Sequence, residues 1–174
     1  MALDLTLTDD QQLLQGSVRR FLADHDRPGW RALSDALGLG GVTIPDTAGG
    51  FGGGAVEAAL IAAELGPALA GADWISPANP GWLLGPAIPA HPALSEPSSG
   101  ARRAAILCPA STAEMPIIAD GFVRGRAALV VGGAEADLLI IADADAILLV
   151  EADPAKIEQR HHVMHDGSVV ADLG

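Results

Sequence analysis

The sequence has no tyrosine, one cysteine and only 3 % aromatic residues. Each shortage excludes something. With three Trp and three Phe in 174 residues, a core must be built from Ala, Leu, Val and Ile. The lone Cys108 excludes an internal disulfide and any multi-cysteine metal site, and it reads as a small buried apolar residue. Cations are scarce: 10 Lys and Arg stand against 22 Asp and Glu, a formal net charge of −12. That balance argues against nucleic acid and against an anionic membrane surface, since both attract basic patches. No apolar run reaches the ~18 residues of a membrane span. Met1-Ala2-Leu3-Asp4 is acidic where a targeting leader would be basic and then apolar. The expectation is a cytoplasmic protein that avoids membranes.

What is abundant is apolar residue, at 49 %, together with 21 Gly and 12 Pro. The glycines concentrate in Val42 to Gly66, the stretch around which the chain is organised. Val42-Thr43-Ile44 is β-branched and favours an extended backbone. Pro45 disfavours helix at Ile44. Gly49, Gly50, Gly52, Gly53 and Gly54 permit positive φ and close backbone approach. From Ala55 the period is helical, with Val56, Ala59, Leu60 and Ala63 on one stripe, and Gly66-Pro67 stops it. Gly50-x-Gly52-x-x-Ala55 also fits a loose phosphate-binding fingerprint. That fingerprint needs a strand directly before the turn and an acid-ended strand after the helix. Pro45 to Gly49 interrupts the first, and Pro67 to Pro80 is too rich in Pro, Gly and Ala to be the second.

Thr8-Asp9-Asp10-Gln11 spells a capping box. The helix behind it presents Leu14, Val18, Phe21 and Leu22 on one face, with Arg19 and Arg20 on a solvated one. A second helix is expected from Pro28 through Trp30, Leu33 and Leu37, ended by Gly38. Trp82-Leu83-Leu84 suggests a short helix, and Ser95 to Gly100 (SEPSSG) a linker.

After Gly100 the pattern is that of strands: Ala104 to Leu107, Gly121 to Gly125 after an Asp-Gly turn, Ala127 to Val131, Leu138 to Ala142, Ile147 to Val150, and Val169-Val170 after Asp166-Gly167. Short strands with turns between them predict a small antiparallel barrel or sandwich. The fold class is therefore α+β, helices to about residue 98 and a β domain over 101–174. Asp143 and Asp145 could pair as acid and base, but a hairpin loop wants Asp there anyway. His161, His162, His165 and Asp166 form the one metal-like cluster. On a strand His161 and His165 share a face and His162 does not, so a solvated strand end is the better reading and no metal site is assigned.

Ile44, Pro45, Asp46, Gly49, Gly50, Gly52 and the helix ending Glu64-Leu65-Gly66 closely resemble a stretch of the flavin-dependent acyl-CoA dehydrogenases, I-P-E-x-x-G-G-x-G followed by a helix closing in E-E-L-G. The opening from Leu5 to Gly41 is similar to that family's first two helices. The β half resembles the family's middle domain through Asp120-Gly121-x-x-x-Gly125, Val130-Val131-Gly132-Gly133-Ala134, Ala136-Asp137-Leu138-Leu139 and the closing His165-Asp166-Gly167-x-Val169-x-Ala171-Asp172.

The resemblance implies α,β-dehydrogenation of an acyl-CoA thioester, fatty or steroid, with FAD as hydride acceptor and a glutamate as base. It implies assembly as a homo- or hetero-oligomer with dehydrogenase subunits. Where better-matched members place a flavin-contacting Trp-Ile-Thr, this chain has Leu129-Val130-Val131. Where they carry Thr-Glu-Pro-x-x-Gly-Ser-Asp, it has Leu107-Cys108-Pro109-Ala110-Ser111. The implied cofactor-binding residues are thus Leu107, Ser111, Val130 and Val131. Val131 cannot offer the lost hydroxyl, although its backbone N–H can still donate. The proline-broken stretch Pro67 to Gly100 is a shortened form of helices that carry part of the family's acyl pocket.

No catalytic residue is assigned, because the family's glutamate lies in a C-terminal helical bundle and no long helical pattern follows Gly100. The chain is expected to be an incomplete middle domain with an unpaired edge at Val169 to Asp172: a fragment inactive alone, or else a non-catalytic subunit or binding module that docks on a partner dehydrogenase.

Overall fold

The structure is a computed structural model that describes residues 6–70, 74, 81, 84, 92–107, 114–119, 122–142 and 146–174. Cys108, Ser111, Asp120-Gly121, Trp82-Leu83 and the Asp143–Asp145 turn lie outside the described residues.

Helix α1 (Asp9–Asp24) begins as its sequence dictates. Thr8 Oγ1 accepts the Gln11 N–H at 3.3 Å and Gln11 Oε1 accepts the Thr8 N–H at 3.0 Å, closing the capping box. Val18 is buried, with Leu14, Phe21 and Leu22 half-buried beside it. Helix α2 (Trp30–Leu37) starts two residues later than Pro28 suggests. Gly29 takes the extended N-cap position and its carbonyl accepts the Leu33 N–H at 3.2 Å, while Pro28 is buried ahead of the helix. Gly38 ends α2 in the left-handed region, φ 66°.

Val42-Thr43-Ile44 is not extended. Val42 sits at φ −57°, ψ −45°, and the run continues as turn and bend. Its preference for strand is overridden because the run packs inside the helical part, where Val42 and Ile44 are buried. Its carbonyls pair with the glycine loop instead of a neighbouring strand: Gly52 N–H donates to Ile44 O at 2.9 Å and Gly53 N–H to Val42 O at 2.7 Å.

Helix α3 (Ala55–Leu65) is where the sequence predicts it, but it is rotated. Ala58, Ile61 and Leu65 are buried, while Val56 is 50 % exposed and Ala59 and Ala63 face solvent. Apolar periodicity cannot choose between two apolar faces; the carboxylates do. Glu57 and Glu64 lie seven residues apart on one face, and both reach α1. Glu57 accepts from Gln11 Nε2 at 2.8 Å, and Glu64 accepts from Arg19 at 3.0 and 2.6 Å. The first core gathers Val18, Trp30, Leu33, Leu39, Ile61 and Leu65, with Trp74 donating its Nε1–H to the Leu39 carbonyl at 3.2 Å.

The stretch expected to be a linker is a single helical turn, Ser95–Ser98, followed by Gly100 at φ 74°. It packs on Leu39–Gly41. A β-carbon on Gly40 would be 2.9 Å from Pro97 O, and one on Gly100 1.9 Å from Ser34 Oγ.

The strands form two sheets. In the first, β1 (Ala104–Leu107) pairs in parallel with β4 (Leu138–Ala142), which pairs antiparallel with β5 (Ile147–Glu151). The second has the order β2-β3-β7-β6, wholly antiparallel, from β2 (Glu114–Ala119), β3 (Phe122–Val131), β6 (Gln159–Val163) and β7 (Val169–Leu173). The segments expected at Gly121 to Gly125 and Ala127 to Val131 are one strand. Among the described residues the sheets are not closed into a barrel. Nor is the final strand an edge, because β7 pairs with β3 on one side and β6 on the other.

The parallel β1–β4 pair departs from an all-antiparallel domain, and burial explains its composition. Ala105, Leu107, Leu139 and Ile141 face the second sheet. Ala104, Leu138 and Ile140 alternate with them and pack against Ile44, Ala48, Leu84 and Leu94 of the helical part. Covered on both faces, these strands are continuously apolar rather than alternating.

Candidate functional site

The glycine loop is not an anion cradle. Gly49 and Gly52 take positive φ, 84° and 64°, and Gly50 lies against backbone, so the glycines serve a tight fold. Its amide donors are consumed within the chain: Gly50 to Pro45 O at 3.0 Å, Phe51 to Gly41 O at 2.9 Å, Gly54 to Glu57 Oε2 at 2.8 Å. No strand runs into the turn. Gln11 and Gly54 both donate to the Glu57 carboxylate, and together they hold it below the usual glutamate range.

The more distinctive geometry lies on β3. Ala127 pairs with Leu173 and Val130 with Ala171, so Ala128 and Leu129 together oppose Asp172. This is a β-bulge. Leu129 occupies the left-handed region, φ 53°, uncommon for a residue with a side chain. Its N–H donates to Asp172 Oδ1 at 2.9 Å, and Asp172 Oδ2 meets His162 Nε2 at 2.8 Å. The Leu129 amide first, then His162, hold the Asp172 carboxyl below its ordinary range.

The bulge sorts the sequence-predicted residues. Leu107 and Val130 send their side chains into the core between the sheets and are 6 % and 2 % exposed. Val131 is 44 % exposed and Leu129, beside it, 53 %. Together they form an apolar ledge on β3. Asp172 and His162 had no sequence signal as a pair: they are ten residues apart and meet only across the β6–β7 register.

His161 and His165 do not join that pair. His161 Nε2 lies 3.0 Å from Gln159 Oε1, and His165 sits in the turn beyond β6. Among the described residues no group of three or more His, Cys, Asp or Glu could hold a metal ion, and no helix is long and apolar enough to cross a membrane. Between the sheets opens a cleft of about 860 Å3, lined by Leu107, Val123, Ala127, Leu139, Ile141 and Leu148 among others.

Residues 8–91 match the family model of the acyl-CoA dehydrogenase N-terminal domain. That stretch, just under half of the chain, is similar to the N-terminal domain of the acyl-CoA dehydrogenases. The likeness in fold runs on through the sheets. The ChsE4–ChsE5 complex from Mycobacterium tuberculosis superposes with a TM-score of 0.75 at 22 % identity, over 98 % of this chain and 55 % of that one. A glutaryl-CoA dehydrogenase from Mycobacterium smegmatis in complex with FADH2 gives 0.71 at 18 % identity, over 96 % and 52 %. The Tcur3481–Tcur3483 steroid ACAD gives 0.66 at 21 %, over 97 % and 55 %. The chain thus spans about half the length of the structures it matches. No curated protein matches it by sequence. Helices followed by antiparallel-rich sheets are the N-terminal helical and middle β portions of the acyl-CoA dehydrogenase fold.

Proposed function

We propose that this chain forms the N-terminal (1–98) and middle (101–174) portions of an acyl-CoA dehydrogenase-like flavoprotein, and that its β3 ledge is a contact surface for FAD. The observation that carries the reading is the exposed pair Leu129 and Val131, held out from a bulge where the family resemblance puts the flavin-contacting strand. An apolar ledge fits the face of a tricyclic ring. The donor set is thinner: Leu107 and Val130 are turned into the core and Val131 has no polar side-chain atom, so polar contact there falls to main-chain groups. When bound, the flavin supplies the hydride acceptor for α,β-dehydrogenation of an acyl-CoA thioester. The chain's own part is to hold and orient the ring and to shield one of its faces from water. Ser111 belongs to the same reading.

No α-helix follows Ser95–Ser98 among the described residues, and the 174-residue chain alone is expected not to turn over acyl-CoA. The test is a titration of the purified chain with FAD, followed by flavin fluorescence. Saturable quenching that Val131→Asp weakens at least tenfold supports the reading. A chain that leaves FAD fluorescence unchanged sinks it.

A second reading is that of a subunit docking on a partner dehydrogenase in the cytoplasm, as a homo- or hetero-oligomer. It is favoured by the exposed apolar face Val56, Ala59 and Ala63 of α3, and by neighbours that are themselves named as two-component complexes. Co-purification with a co-expressed dehydrogenase subunit, lost in Val56→Asp, tests it.

A further inference from the structure

We propose that Asp172 is a positioning residue for the β3 ledge: anchored by His162, its carboxylate captures the Leu129 amide and so sets the bulge that displays Leu129 and Val131. What the ledge receives rests on the flavin reading above; the clamp itself does not.

Two residues of β3 oppose one of β7, so one N–H has no backbone partner across the strand. The Asp172 side chain takes that place, accepting the Leu129 N–H at 2.9 Å. A charged acceptor makes this bond stronger than an amide–carbonyl bond. Such a bond is needed, because Leu129 stands at φ 53°, a conformation that glycine enters freely and leucine does not. Glycine at 129 would relieve the strain but leave no ledge. Leucine keeps the ledge and requires the clamp.

The carboxylate is itself fixed. Its second oxygen meets His162 Nε2 at 2.8 Å, and Arg160 lies directly opposite it in the β6–β7 register. The bulge is therefore held from β6 through β7 to β3, three neighbouring strands of one sheet. Regular pairing resumes at once, with Val130 opposite Ala171 and Val131 opposite Val170. Losing the clamp would let the bulge migrate or flatten, and a one-residue slip of β3 exchanges the buried Val130 for the exposed Val131.

The test uses the 174-residue chain with two separate readouts: amide hydrogen exchange at Leu129 and Val131 without ligand, and FAD titration by fluorescence. Asp172→Ala should speed exchange at Leu129 at least tenfold. Asp172→Asn, which keeps a neutral acceptor, should fall between Ala and wild type, and it serves if the alanine variant does not fold. In a Leu129→Gly background the same Asp172 substitutions should change exchange at Val131 much less, because glycine holds the bulge unaided. Equal exchange in wild type, Asp172→Asn and Asp172→Ala overturns the clamp whatever FAD does. Graded exchange supports the clamp even where wild type binds no FAD; in that case the flavin reading fails alone. If wild type binds FAD, a loss of affinity in the same order as the exchange supports the clamp's role at the ledge, and unchanged affinity overturns that role.

Discussion

Gly50 lies against the main chain of Ile44, so that a β-carbon on it would stand 2.1 Å from the Ile44 carbonyl oxygen and 2.7 Å from that of Gly41. Neither oxygen can retreat cheaply, because each accepts a loop amide, Gly52 on Ile44 and Phe51 on Gly41. Gly50→Ala should therefore cost about 3 kcal/mol, the upper end of overpacking penalties. Gly54 is the internal control. Its added β-carbon would meet only Glu57 Oε2, at 3.6 Å, and its φ is negative. Gly54→Ala should stay within about 1 kcal/mol of wild type. Urea unfolding of the two variants checks the contrast, and equal midpoints would contradict it.

Glu57 ties the start of α3 to the start of α1, accepting from Gly54 N–H and Gln11 Nε2 at 2.8 Å each. Glu57→Ala removes both bonds and should cost about 1 kcal/mol, as the loss of a helix cap does. The pH dependence has a definite sign. Both bonds favour the ionised form and lower the folded-state pKa. Their contribution is thus complete above the ordinary glutamate range and disappears as pH falls through the depressed folded value. Glu64, lowered chiefly by Arg19, and Asp172, lowered chiefly by the Leu129 amide, act in the same direction. Glu57→Gln should narrow the difference in urea midpoint between about pH 7 and about pH 3.5, where ordinary carboxyls protonate. A difference as wide as wild type's would exclude Glu57 as a contributor.

Which parts of this architecture the sequence discloses follows from the range of the interactions. Local chemistry was legible: the Thr8 capping box and the Gly38 stop depend on neighbours within a few residues, and the apolar runs at 104–107 and 138–142 announce strands without saying what they pair with. The rotation of α3 was not, because nearly every face of AVEAALIAAEL is apolar and its orientation comes from Gln11 and Arg19, some 46 and 45 residues away. Val42 to Ile44 misled for a similar reason: a β-branched run suits a strand, and here the glycine loop, not a strand, takes its carbonyls. At the candidate site the sequence placed β3 but could not place the bulge. The extra residue is defined only against Leu173 and Ala171, and the side chain that holds it comes from β7.

Arg19 and Glu64 form a two-pronged ion pair, with the arginine side chain 65 % exposed and the glutamate 14 %. Water and salt screen a pair so placed. Arg19→Ala should lower the melting temperature only slightly in low salt. The difference from wild type should shrink to near zero in about 1 M salt, where the Debye length falls to ~3 Å. Thermal melts of both proteins at low and high salt check this. A cost that survives high salt would mean that the arginine stem, and not its charge, holds α1 to α3.

Ser34 and Gly100 offer the sharpest test that residues 95–100 are packed structure. Ser34 Oγ is buried and has no hydrogen-bond partner among the described residues. A buried hydroxyl left unpaired costs free energy, so Ser34→Ala should stabilise the protein by about 1 kcal/mol. Gly100 is held at φ 74°, and a β-carbon there would be 1.9 Å from the same Oγ. Gly100→Ala should destabilise by about 3 kcal/mol, from steric overlap added to left-handed strain. The two substitutions should not add. Removing Oγ relieves the shorter overlap but leaves Ser34 Cβ at 2.7 Å, so Gly100→Ala should cost about 1 kcal/mol less in the Ser34→Ala background, a coupling typical of touching residues. Urea unfolding of the two single variants and the double variant measures it. Strict additivity would mean that the turn does not press on α2, and that residues 95–100 behave as a linker after all.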